Sequence, residues 1–110
     1  MENNEMGTKE KELYIKELLE NKKGIDVTAV DLSEATSVAD SFVIASGTSV
    51  PHVKALCDEV EEKMSEKGID PLRVEGYRSA SWVLVDYGDV VVHIFTPEAR
   101  AFYNLDKLWA

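Results

Sequence analysis

The stretch Ser81-Trp82-Val83-Leu84-Val85-Asp86-Tyr87-Gly88-Asp89-Val90-Val91-Val92-His93-Ile94-Phe95 prescribes its own geometry. Two apolar, β-branched runs flank Gly88-Asp89, and a two-residue connection of this kind signals a hairpin with a primed turn. Tyr87 then faces Val90, Asp86 faces Val91, Val85 faces Val92, Leu84 faces His93, Val83 faces Ile94 and Trp82 faces Phe95. Alternation sorts these residues by face. Val83, Val85, Tyr87, Val90, Val92 and Ile94 make an almost wholly aliphatic surface that other elements must cover. Trp82, Leu84, Asp86, Val91, His93 and Phe95 make the other. A face that mixes a Trp, an acid and a His with apolar residues is either a second, polar-decorated core or a recognition surface.

The remaining chain supplies the cover. Leu13, Tyr14, Ile15, Leu18 and Leu19 fall at helical spacing between Lys9 and about Asn21, and Lys22-Lys23-Gly24 ends that helix. Ile25 to Leu32 alternates as a strand, followed by a polar loop from Ser33 to Ala39. The continuous apolar run Ser41 to Ser46 predicts a strand buried on both faces. Thr48 or Ser49 caps a second helix in which Pro51 occupies the first turn and Val53, Leu56, Cys57, Val60 and Met64 recur at steps of three and four. Arg73 to Tyr77 is a further strand ahead of the hairpin, and Thr96-Pro97-Glu98 starts a last helix with Ala99, Phe102, Leu105, Leu108 and Trp109 as its stripe. The order α-β-β-α-β-β-β-α predicts an α/β fold with a mixed five-stranded sheet, parallel across the crossover helix and antiparallel in the hairpin. At 110 residues the chain is one domain, with a flexible end over residues 1–8.

Composition excludes several roles. No apolar run is long enough to cross a bilayer. The acidic start Met1-Glu2-Asn3-Asn4-Glu5 is neither a secretory signal nor an Arg-rich transit peptide, so a cytoplasmic protein is expected. One cysteine permits neither an internal disulfide nor a cysteine metal cage. A net charge of −9, from 21 acidic and 12 basic residues, repels a phosphate backbone, so little direct nucleic-acid contact is expected. The same charge favours a basic protein partner.

Catalytic sets are incomplete. Asp86 and His93 are diagonal neighbours on one hairpin face, about 7 to 8 Å apart at the backbone, but no nucleophile joins them. Cys57 belongs to a helix core stripe, and His93 reads better as a hydrogen-bonded structural residue. His52 and His93 lack the spacing of a metal ligand set, so neither a metal nor a cofactor is expected. Gly47-Thr48-Ser49 lies between a strand and a helix start, where an anion could bind. That favours, as an alternative, a nucleotide-binding or nucleotidyltransferase-like enzyme. The converging Asp-x-Asp pair such chemistry requires is absent, since Glu75, Asp86 and Asp89 are scattered. Trp82 beside acids has the composition of a protein-binding patch.

Asp40 to Ser49, Glu75-Gly76, Trp82 to Phe95 and Glu98 to Trp109 together resemble the ribosomal silencing factor family, also called Iojap-like proteins. The likeness runs from about Leu13 to Trp109. It implies a nucleotidyltransferase-like α/β fold with no established catalytic activity. It also implies binding of the large ribosomal subunit through its ribosomal protein fourteen, which blocks joining of the small subunit and represses translation when nutrients are scarce. Trp82 and Asp86 match family positions tied to that contact. Tyr87, Asp89 and Glu75 are added from this sequence as partner-binding neighbours. The resemblance further implies a homodimer; separately, the surplus aromatics Phe102, Tyr103 and Trp109 of the last helix offer a third reading, a homodimeric adaptor that uses that helix.

Overall fold

In the computed structural model, which describes residues 6–32, 34 and 39–105, the hairpin forms in the register its sequence dictates. β4 (Trp82–Asp86) and β5 (Val90–Phe95) pair antiparallel, with Trp82 opposite Phe95, Leu84 opposite His93 and Asp86 opposite Val91. The Tyr87 N–H donates to the Val90 carbonyl at 2.9 Å, and Gly88 takes φ +92°, the positive value a primed turn demands at its first central position.

Around this hairpin lie α1 (Thr8–Asn21), β1 (Ile25–Asp31), β2 (Ser41–Ser46), α2 (Val50–Glu66), β3 (Arg73–Glu75) and α3 (Pro97–Tyr103). The sheet order is β1-β2-β5-β4-β3. β2 and β5 are its parallel pair, while β1 with β2, and β3 with β4, are antiparallel. Parallel pairing across the crossover therefore joins β2 to β5, because β3 goes to the far edge and the hairpin folds back into the centre. β3 is also shorter than the predicted Arg73–Tyr77. Gly76 ends it at φ +82°, where a Cβ would collide with the Trp82 carbonyl.

The aliphatic hairpin face is covered by α1 and α2. Ile15 and Leu19 of α1 and Val53, Leu56, Val60 and Met64 of α2 meet Val43, Val83, Val85, Val92 and Ile94 in one core, all fully buried. Each such aliphatic residue contributes about 1.5–3 kcal/mol on leaving water. α2 is fixed at its start by the Ser49 hydroxyl, which accepts from the His52 N–H at 3.3 Å. α3 does not join this layer. Ala99 packs instead with Ile44 and Phe95 on the opposite face, beside Trp82.

Thr8, which the sequence assigns to a flexible end over residues 1–8, is instead the first residue of α1 and donates its hydroxyl to Asp89 Oδ2 at 2.6 Å. Residues 1–5, most of the predicted loop over 33–39, and Leu108 and Trp109 lie outside the described residues. Among the described residues no helix is long and apolar enough to cross a membrane.

Candidate docking surface

The second sheet face is built by β4, β5, β2 and β3. Period-two alternation puts Trp82, Leu84 and Asp86 on it from β4, and the β3 register adds Arg73 opposite Asp86 and Glu75 opposite Leu84. α3 covers one end. There the Trp82 ring meets Tyr103 at 4.5 Å and Phe95 at 5.2 Å between centroids. The rest stays accessible: Leu84, Phe42 and Trp82 are half-buried, and Leu72 is 74% exposed. Leu84 separates two shallow depressions. One, of about 230 Å³, is bounded by Glu75, Gly76 and Trp82. The other, of about 270 Å³, lies among Phe42, Leu72, Asp86, Val91 and His93.

The acids of this face are organised by one cation. Arg73 Nε donates to Asp86 Oδ2 at 3.1 Å and its Nη1 to Glu75 Oε2 at 2.7 Å, so two carboxylates share one guanidinium and the rim keeps a negative excess. Hydrogen bonding to Asp86 leads the causes that raise the Arg73 pKa. The other Asp86 oxygen accepts the Gly88 N–H at 2.7 Å. Asp86 is thus turned along the strand toward Arg73 and the turn. His93 is engaged elsewhere, its Nδ1 accepting the Trp82 indole N–H at 3.0 Å. The diagonal pair of the sequence does not form a catalytic dyad, and the ring, 3% exposed, has its pKa pushed down to about 4 by burial, against a smaller upward pull from Asp86.

Of the five residues predicted for partner binding, Trp82, Asp86 and Glu75 share this face. Tyr87 is corrected: it is 7% exposed in the helix-covered core, because 83, 85 and 87 alternate together away from Trp82, and burial drives its phenol pKa up. Asp89 is turned to α1, accepting from Thr8 and from Lys11 Nζ at 2.9 Å. Burial pushes its carboxyl up, but those bonds and the Lys11 charge outweigh burial and hold it below the ordinary carboxylate range. Leu72, Arg73, Phe42 and Leu84 were not singled out. The signal for Arg73 was its place one strand before an acid of known face, which only the β3 register reveals.

The features of the alternative reading are internally occupied. The Thr48 N–H donates to His52 Nδ1 at 2.9 Å, and His52 Nε2 lies 2.9 Å from the Lys22 carbonyl oxygen, so the imidazole already takes one backbone N–H of the strand-to-helix turn. Cys57 is buried and donates to Glu61 at 3.2 Å, and burial above all pushes its thiol pKa up. Among the described residues no three His, Cys, Asp or Glu side chains are grouped to hold a metal ion.

A family model described as "Ribosomal silencing factor during starvation" matches residues 6–110. The chain is 44% identical over 91 residues to the ribosomal silencing factor of Halalkalibacterium halodurans, covering 83% of this chain and 78% of that protein. It is 43% identical over 90 residues to that of Bacillus subtilis, covering 82% of this chain and 76% of that protein. A mouse protein named for mitochondrial assembly of the ribosomal large subunit is 34% identical over 95 residues, covering 84% of this chain and 42% of its own length. A crystal structure of a Chromobacterium violaceum protein superposes with a TM-score of 0.92 at 41% identity, over 94% of this chain and 87% of that one.

Proposed function

This chain belongs to the ribosomal silencing factor family, and from that premise we propose that it binds the large ribosomal subunit through its ribosomal protein fourteen, blocks joining of the small subunit and so represses translation when nutrients are limiting. The action is steric occlusion by a nucleotidyltransferase-like scaffold put to binding. The observation that carries this reading is the Trp82 face: a half-buried Trp on an apolar floor, rimmed by Asp86 and Glu75, on a domain of net charge −9. A buried aromatic anchor inside a polar rim is the anatomy of an interface centre. With such a charge, affinity for a ribosome cannot come from RNA phosphates. It must come from a basic ribosomal protein, which an acidic rim steers into contact.

Pelleting with isolated large subunits tests the reading. The wild-type protein should co-sediment at low micromolar concentration. Glu75→Lys reverses one rim charge at a side chain 57% exposed, so the fold should be kept while affinity falls by about tenfold. A wild-type protein that stays in the supernatant would contradict the reading outright.

A further inference from the structure

The two nitrogens of His93 differ in their bonding. Nδ1 accepts the Trp82 indole N–H at 3.0 Å, so in the neutral ring the proton resides on Nε2. Nε2 is buried and has no hydrogen-bond partner among the described residues, in a side chain only 3% exposed. Buried donors are nearly always satisfied. The Phe42 ring meets the imidazole T-shaped at 4.4 Å, and an aromatic ring is at best a weak acceptor. His93 also lines the depression of about 270 Å³ whose walls include Phe42, Leu72, Arg73, Leu84 and Asp86. An orphan donor in a residue that lines an open groove, covered by side chains only partly buried, is poised for a group that arrives from outside. Phe42 and Leu84, both half-buried, are the side chains that must shift to admit it.

The geometry points to His93 as a specificity residue of the docking face, its Nε2–H donating to a neutral oxygen on the docked protein: a main-chain carbonyl, or a side-chain amide or hydroxyl. The inference rests on the docking role proposed above and deepens it by naming what enters the groove. A carboxylate finds no free cation there, because the Arg73 guanidinium that lines the groove already donates to Asp86 and to Glu75. A segment with an aliphatic stem and a neighbouring cation does, since Leu72 and Leu84 supply apolar walls and Asp86 stands at the rim.

His93→Asn separates the two nitrogens, for the Asn amide reaches the position of Nδ1 but not that of Nε2. Two readouts are needed: co-sedimentation with isolated large subunits, and the Trp82 indole N–H resonance in a nitrogen–proton correlation spectrum of the free protein. The expected result is an indole N–H that still exchanges slowly with solvent, its bond now accepted by the Asn amide oxygen, with about a tenfold loss of affinity, the weight of one neutral hydrogen bond. Unchanged affinity overturns the assignment, and so does a loss accompanied by fast exchange of the indole N–H, which would place the effect in Trp82. Leu84→Phe gives a second route if His93→Asn fails to fold: it fills the groove at a half-exposed position and should weaken binding about tenfold, whereas full binding overturns the inference. A wild-type protein that does not pellet sinks the docking reading itself; pelleting by wild type and His93→Asn with equal affinity sinks only this one.

Discussion

His93 links stability to pH in a direction set by its burial. In the unfolded chain the imidazole protonates near pH 6.5, and in the folded chain only near about 4. Its share of stability is therefore complete above about pH 6.5, declines as pH falls below that, and is gone below about 4. At 1.36 kcal/mol per pH unit the share is about 3 kcal/mol. Urea melts should show it: the loss of stability between about pH 7 and about pH 5 should be smaller in His93→Phe than in the wild type by about 2 kcal/mol, and equal losses would contradict it. Trp82 is bound into the same group. Stacked on Phe95 and Tyr103 and bonded to His93, it cannot be truncated for nothing, and Trp82→Ala should cost about 2 kcal/mol of stability besides its effect on binding; an unchanged urea midpoint would show that the stack contributes little. The faces of Trp82, Asp86 and Tyr87 were all legible in the sequence, since a strand's period is two. What each side chain bonds to was not. Asp86 turns to Arg73 because β3 delivers a guanidinium opposite it, and a pairing partner on another strand leaves no local trace.

The hairpin was readable as an element because its turn and both strands are contiguous. The parallel neighbour of β2 was not, because α2, β3 and β4 intervene before β5 arrives beside it. Nor did the sequence place α3: its short stripe fits either sheet face, and the choice follows from Phe95 and Ile44 needing cover on the side that α1 and α2 leave open. The end of β3 is set by Gly76, and its cause can be separated from backbone conformation alone. Gly76 and Gly88 both have positive φ, but a Cβ at Gly76 strikes the Trp82 carbonyl while one at Gly88 meets Leu72 Cδ1 at an ordinary 3.6 Å. Gly88→Ala should therefore cost about 1 kcal/mol and Gly76→Ala about 2–3 kcal/mol or more. Chemical denaturation of the two variants decides this, and equal costs would exclude the collision. α1 is tied at its start to the hairpin turn through Thr8, Lys11 and Asp89. Asp89→Asn should lower stability by about 1 kcal/mol and speed hydrogen exchange in the first turn of α1 more than elsewhere; uniform exchange would show that the tie is not local.

At the scale of the molecule, the sheet divides the protein into a helix-covered side that holds it together and a side that α3 covers at one end. Net charge −9 disfavours a phosphate-driven grip, and the exposed side offers an apolar floor with an acidic rim. Both properties were visible in the sequence as composition and alternation. The groove was not, since it depends on β3 bringing Leu72 and Arg73 beside the hairpin. Occlusion makes a demand that binding alone does not: the docked protein must stand where the small subunit would. The direct measurement is a gradient sedimentation of isolated large and small subunits mixed with and without this protein at joining concentrations of magnesium. The account predicts that joined ribosomes diminish as protein is added and that the protein migrates with free large subunits. Full joining with the protein riding on the joined ribosomes would contradict it.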